Sequence, residues 1–306
     1  MAFDYERMLA TIKDRQWALA DVDWDAPGAE RITDEQRPRL KAFMADLVWI
    51  ENVGARGFAA LATKAPTETL KQIYVYFHAE EQRHANAELA LMRRWGMLAD
   101  DEIPEPDINV ALVIEMLDKY SDDLPLSVLG TLIPMLEVAL DGALVKFLLD
   151  EVDDPVCHEV FRKINADESR HIAVDFQVLD MIGAAPLRRL LIQSAGLVKP
   201  SLLLGALIYI PLLNKMRDNI VAMGLDEQKL YNAVNRFTSI GERSANTRRV
   251  PLYHVIKMQA AMVTDRSHPY HYLADLLVGI TGLIPKRVLG ATPSWAKELT
   301  HEPVSR

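Results

Sequence analysis

The sequence predicts an all-α protein: a four-helix bundle with additional N- and C-terminal helices. Three observations carry this. Apolar residues recur at helical spacing over long stretches, while strand-like alternation is scarce. Two short segments far apart in the chain repeat the same acid, arginine and histidine pattern. Single glutamates interrupt the apolar stripes of two other long helices.

The 306 residues are read as one domain, with the bundle core at 37–183 and further helices at 186–280. Residues 1–34 form a lead-in with one helix and a break at Ala26-Pro27-Gly28. A first long helix runs from about Arg37 to Lys64. It stops ahead of Pro66, because the residue before proline is pushed out of the helical region. Thr67-Glu68-Thr69 opens the second helix, to about Gly96, with a hydroxyl cap and an acid in the first turn. An acidic, proline-bearing loop, Asp100 to Pro106, follows. A shorter helix near Val110–Tyr120 leads to the third long helix, about Leu126–Glu151. Pro134 inside it removes a backbone N–H and predicts a kink just before Glu137. Asp153-Asp154-Pro155 opens the fourth helix, about Val156–Gly183. Residues 186–280 read as several further helices, broken near Lys199-Pro200, Gly224 and Pro251. The tail after Pro285 reads as irregular.

Composition narrows the functional classes. Half the residues are apolar and a quarter charged, as in an ordinary globular chain. Forty-three acids against 34 Lys and Arg give a net charge of -9, which argues against nucleic acid as the main partner. Cys157 is the single cysteine, so an intramolecular disulfide and a Cys-only zinc site are excluded. Met1 to Gln16 is charged throughout and does not read as a signal peptide. A cytoplasmic location is expected. The greasiest stretch, Leu190 to Leu213, is interrupted by Lys199 and Pro200, and its clean part from Ser201 is too short for a transmembrane segment. It reads as a buried helix, with a subunit interface or the wall of an apolar tunnel as alternatives.

The chemistry lies in the repeated segment. Ala79-Glu80-Glu81-Gln82-Arg83-His84 is echoed by Ala166-Asp167-Glu168-Ser169-Arg170-His171, and an acid follows four residues after each histidine, Glu88 and Asp175. Glu and His at i and i+3 share one helix face, so both can reach the same or adjacent metal ions. Tyr74, Phe77, Glu81, His84 and Glu88 line one face of the second helix. Ile164, Glu168, His171 and Asp175 line the matching face of the fourth. Charges on core-facing stripes are costly unless they are paired or bind metal. Glu51 stands in the stripe Met44, Leu47, Val48, Gly54, Ala55, Phe58. Glu137 stands in the stripe Leu129, Ile133, Leu140, Leu144. A further Glu-x-x-His pair, Glu298/His301 in the tail, is read as a chance match.

Four carboxylates and two imidazoles from four helices match the ligand set of ferritin-like two-metal bundles. On these residues the chain resembles the ferritin-like di-iron carboxylate oxidases and oxygenases, over about residues 37–183. Its Glu-Glu-x-Arg-His and Asp-Glu-x-Arg-His strings look most like those of soluble acyl-carrier-protein desaturases. The ligand spacing is also similar to p-aminobenzoate N-oxygenases and the ribonucleotide reductase small subunit. The resemblance implies Glu81 and Glu168 as bridging ligands, His84 and His171 as one imidazole per metal, and Glu51 and Glu137 as terminal ligands. It also implies that Asp167 orients His84 and Glu80 orients His171; Arg83 and Arg170 are read either as partners of these acids or as surface salt bridges. Asp141, Glu88 and Asp175 are further candidates around the ligands.

Two Fe ions, or a Mn/Fe pair, suit hard oxygen and borderline nitrogen donors. The resemblance then implies an O2-activating oxidoreductase of hydroxylase, desaturase or N-oxygenase type. The Leu-, Ile- and Met-rich residues 186–225 point to an apolar small-molecule or acyl substrate. No nucleotide-binding glycine loop appears, so electrons are expected from a separate protein such as a ferredoxin. A homodimer is expected. The alternative is a ferroxidase or iron-handling protein without an organic substrate. Two departures stand out. Glu88 occupies the position of the reductase's radical tyrosine, and Ile164 that of the N-oxygenases' third histidine. Arg243, Arg248 and Arg249 are read as a solvated helix end and loop, with docking of an anionic group as the alternative.

Overall fold

The computed structural model describes residues 3–139, 152–186 and 227–285, with scattered positions within 145–149 and 188–221. Among these residues every regular element is helical. Helix α1, Tyr5–Asp14, is capped by the Asp4 side chain, which accepts from the Arg7 N–H at 3.0 Å. The lead-in continues through short 3-10 turns at Leu19–Asp21 and Ala29–Arg31. Helix α2, Gln36–Lys64, starts where Thr33 and Gln36 exchange side-chain and backbone hydrogen bonds in a capping box. Helix α3, Glu68–Arg94, is capped by Thr67, whose hydroxyl accepts from the Leu70 N–H at 3.2 Å. It ends in a Schellman turn at Gly96 (φ 67°), where the Gly96 N–H reaches the Arg93 carbonyl and the Met97 N–H the Met92 carbonyl.

Helix α4, Ile108–Tyr120, belongs to the long connection between the two halves of the bundle. Helix α5 is described over Leu126–Ala139, with Pro134 inside it, and Val145 lies in a π-helical turn beyond it. Most of the rest of the expected third helix, including Asp141, falls outside the described residues. Helix α6, Pro155–Gly183, is capped by Asp154. Helices α7 (Gln228–Gly241), α8 (Pro251–Thr264) and α9 (Tyr270–Gly282) follow.

Helices α2 and α3 form one antiparallel hairpin and α5 and α6 the other, with α2 beside α5 and α3 beside α6. α1 lies on α3, α4 on α2, and α7 and α8 on α5. This is the predicted all-α, ferritin-like four-helix bundle with added helices. Its core is filled by residues such as Phe58, Phe77, Phe161, Leu47 and Val178, all essentially free of solvent contact. A buried clamp ties the hairpins and the lead-in together. Asp154 accepts from Arg94 Nε at 3.0 Å, Trp95 Nε1 at 2.8 Å and the Val156 N–H at 3.0 Å, while Arg94 also donates to the carbonyls of Trp24 and Ala26.

No described helix is long and apolar enough to cross a membrane. Most of the apolar stretch from 190 to 213, the pair Glu298/His301 and the tail fall outside the described residues.

Candidate metal centre

Each bundle helix delivers its polar residues to one point on its inner face. Glu51 (α2), Glu81 and His84 (α3), Glu137 (α5), and Glu168 and His171 (α6) are all buried, none more than 3% exposed. Ligand atoms of Glu51, Glu81, His84 and Glu168 lie within 4.8 Å of one another, and so do those of Glu81, Glu137, Glu168 and His171. Glu81 and Glu168 belong to both groups.

The two imidazoles are placed alike. His84 Nδ1 faces Glu168 Oε1 at 3.2 Å and Glu51 Oε2 at 3.5 Å. His171 Nδ1 faces Glu81 Oε1 at 3.0 Å, Glu137 Oε2 at 3.4 Å and Glu168 Oε2 at 3.6 Å. The opposite ring nitrogens turn outward to carboxylates on the other hairpin. His84 Nε2 lies 3.1 Å from Asp167 Oδ2, and His171 Nε2 lies 2.9 Å from Glu80 Oε2. An ionised carboxylate only accepts, so Nε2 carries a ring hydrogen, and Nδ1 is the nitrogen turned toward the cluster. Arg170 spans the outer acids: it donates to Asp167 Oδ1 and reaches Glu80 Oε1 at 3.5 Å. Arg83 lies 4.0 Å from Asp167 Oδ2.

The electrostatics mark a site short of positive charge. Burial, then the nearby Glu168, pushes the carboxyl of both Glu81 and Glu137 well above the usual range. Burial opposes protonation of the imidazoles, yet Asp167, Glu168 and Glu51 push His84 well up, and Glu168, Glu137 and Glu80 do the same to His171. Glu168 is held well below the usual range despite its burial, because the His171 imidazole stands beside it. Glu81 Oε1, His84 Nδ1 and both oxygens of Glu168 are buried and make no well-directed hydrogen bond, although imidazole nitrogens lie 3.0–3.6 Å from these oxygens. Buried polar atoms left unpaired are costly. A donor set of orphaned carboxylate oxygens and inward-facing imidazole nitrogens fits two divalent cations, and the cluster can hold a two-metal cofactor of iron or manganese.

Glu88 and Asp175 sit one turn beyond the histidines, fully buried, with neither oxygen of either carboxyl hydrogen-bonded. Burial, then Glu51, pushes Glu88 well above the usual range. Asp175 is pushed up to about 8, chiefly by burial. The Tyr74 hydroxyl is buried and unpaired as well. Around His171 the wall is aromatic: the Phe77 and Phe58 ring centroids lie 4.1 and 5.1 Å from the imidazole. His78 bonds the Ala55 carbonyl at 2.8 Å and is a packing residue. Arg248 and Arg249 donate to the carbonyls of Glu242 and Ala185, as expected of a helix end and loop.

Three features were not anticipated from the sequence. Gln16 and Trp17 of the lead-in reach Glu80 and Asp167. A Cβ at Gly54 would stand 2.4 Å from Glu81 Oε2, so the absence of a side chain there makes room for that carboxylate. Gly54 lies three residues after Glu51 in the same stripe, and a glycine inside a long helix is the one signal that pointed to it.

No protein family model matches the chain, and no curated protein matches it. Among solved structures, a mutant R2-like ligand-binding oxidase with an anaerobically reconstituted Mn/Fe cofactor is similar. The TM-score is 0.50 at 13% identity, over 90% of this chain and 93% of that one. The likeness supports the ferritin-like fold.

Proposed function

We propose that the chain is an O2-activating two-metal oxidoreductase, with Glu51, Glu81, His84, Glu137, Glu168 and His171 as ligands of two iron ions or a Mn/Fe pair. The observation that carries this is the pair of overlapping ligand groups that share Glu81 and Glu168. Glu81 and Glu168, common to both groups, would be shared by the two metals, His84 and His171 would each serve one, and Glu51 and Glu137 would complete the two groups. When bound, the metals supply one-electron chemistry and a site for O2.

The chain's own residues set the conditions. Asp167 and Glu80 hold the Nε2 hydrogens and aim each Nδ1 inward. Arg170 balances the charge of both acids. Phe58 and Phe77 keep the His171 side dry and suit an apolar small-molecule or acyl substrate. In the metal-free chain burial pushes the Asp175 carboxyl up to about 8. Hydroxylation, desaturation and N-oxygenation are the candidate reactions. A separate protein such as a ferredoxin supplies electrons, since no nucleotide fingerprint is present.

The test is anaerobic loading with Fe(II), metal quantification, then mixing with O2 while following the near-ultraviolet and visible spectrum. Two irons per chain and an oxygen-dependent absorption, both absent in Glu81→Ala, are expected. No metal, or one ion indifferent to Glu81→Ala, overturns the proposal. Oxidation of many Fe(II) per chain without an organic substrate identifies an iron-handling protein instead.

A further inference from the structure

The outer carboxylates receive one donor each from consecutive residues of the lead-in, between α1 and the turn at Leu19–Asp21. Trp17 Nε1 donates to Asp167 Oδ2 at 2.7 Å, the same oxygen that lies 3.1 Å from His84 Nε2. Gln16 Nε2 donates to Glu80 Oε1 at 2.5 Å, and the other oxygen of Glu80 lies 2.9 Å from His171 Nε2. Both side chains are themselves held. Gln16 Nε2 also bonds the Ile12 carbonyl at 3.0 Å, and its Oε1 accepts from Arg83 at 2.6 Å. The Trp17 ring lies under the Arg83 guanidinium, at 5.4 Å.

Arg170 contacts both acids, donating closely to Asp167 and lying 3.5 Å from Glu80, so it ties the two halves of the site together. Arg83 lies 4.0 Å from Asp167, and the two lead-in residues each hydrogen-bond one acid. Trp17 donates to the acid of His84, and Gln16 to the acid of His171. Without its indole partner, the Asp167 carboxyl keeps only charged partners on its outer side, Arg170 and Arg83, and is drawn away from His84. Without the Gln16 amide, Glu80 is drawn toward Arg170 in the same way. A ligating histidine whose outer hydrogen bond is lost holds its metal less tightly.

We propose that Gln16 and Trp17 are positioning residues, Trp17 acting through Asp167 on the His84 metal position and Gln16 acting through Glu80 on the His171 position. This rests on the two-metal reading above. It makes the lead-in, which contributes no ligand, the element that sets the two metal affinities independently.

The experiment is titration of the full-length apo-protein with 57Fe(II) under anaerobic conditions, read by Mössbauer spectroscopy. The His84→Ala and His171→Ala variants assign each ferrous signal to its site. Trp17→Phe is expected to weaken the His84 site by up to about tenfold, the lower end of the loss when a ligand's own outer partner is removed, and leave the His171 site unchanged, and Gln16→Met to do the reverse. Gln16→Glu and Trp17→Leu repeat the test with different packing, and urea unfolding of each apo-variant checks that it folds. Equal weakening of both sites by either residue, or no change in either site while wild type binds two ions, overturns the inference and leaves the two-metal reading intact. Fewer than two ions in wild type overturns that reading, and the inference with it.

Discussion

Glu81 lies closer to the histidine of the opposite hairpin than to the one on its own helix: Oε1 is 3.0 Å from His171 Nδ1 and 3.8 Å from His84 Nδ1. One carboxylate therefore serves both halves of the cluster, and its loss should be felt in both. Glu81→Ala is expected to abolish binding of both ions. Glu51→Ala and Glu137→Ala, which each touch one group, are expected to leave one ion bound. Elemental analysis after equilibrium dialysis decides this. A Glu81→Ala protein that retains a full-affinity ion would refute the sharing.

Gly54 yields the sharpest contrast between stability and binding. Alanine is favoured over glycine in a helix interior by about 1 kcal/mol. Its Cβ at this position meets Glu81 Oε2 at 2.4 Å, and the carboxylate must move. Gly54→Ala is expected to leave the urea midpoint of the apo-protein unchanged or raised, while Fe(II) affinity falls at least about tenfold, the scale of a disturbed ligand shell. Unchanged affinity would show that Glu81 has another position that serves as well.

Asp175 sets a pH dependence whose sign can be worked out. Its carboxyl is pushed up to about 8 in the folded chain, chiefly by burial, against about 4 when unfolded. Between these values the folded state binds the extra proton, so this group's contribution to stability falls as pH rises from about 4 to about 8. Asp175→Asn, which cannot ionise, is expected to flatten that part of the profile in the metal-free protein. Urea midpoints measured at intervals across this range test it, and an unchanged slope counts against the buried, protonated carboxyl.

The Arg94–Asp154 clamp should be the stability hinge between the hairpins. Both side chains are buried, and Asp154 also caps α6. Asp154→Ala leaves the guanidinium uncompensated and is expected to cost roughly 3–5 kcal/mol. The Asp154 carboxyl is held below the usual range by Arg94, Trp95 and the Val156 N–H, against the opposing effect of burial. Its stabilisation is therefore present above the unfolded-state pKa and lost as pH falls through the lower, folded value. Acid unfolding of wild type and variant should converge at low pH. Parallel curves down to that range would place the effect in packing rather than charge.

Much of the architecture was written in local spacing. Helical repeats place Glu81 with His84, and Glu168 with His171, on single faces, whatever the helices pack against. The isolated Glu51 and Glu137 stand out because an apolar stripe has no local reason to contain them. Caps and breakers at Thr67, Pro66 and Asp154-Pro155 mark the boundaries of α2, α3 and α6 within a residue or two. What the sequence alone determined is thus a set of faces: which residues each helix turns inward.

Only the tertiary structure decided how those faces meet. That Glu81 leans toward His171, that Gly54 leaves room for a carboxylate of the neighbouring helix, and that Gln16 and Trp17 reach acids far along the chain all depend on helix docking and rotamers. None of these contacts has a periodic signature. Gln16 and Trp17 sit in a short irregular segment where no helix or strand repeat declares a face. Their roles arise because packing α1 on α3 and folding α6 across it carries their side chains to Glu80 and Asp167.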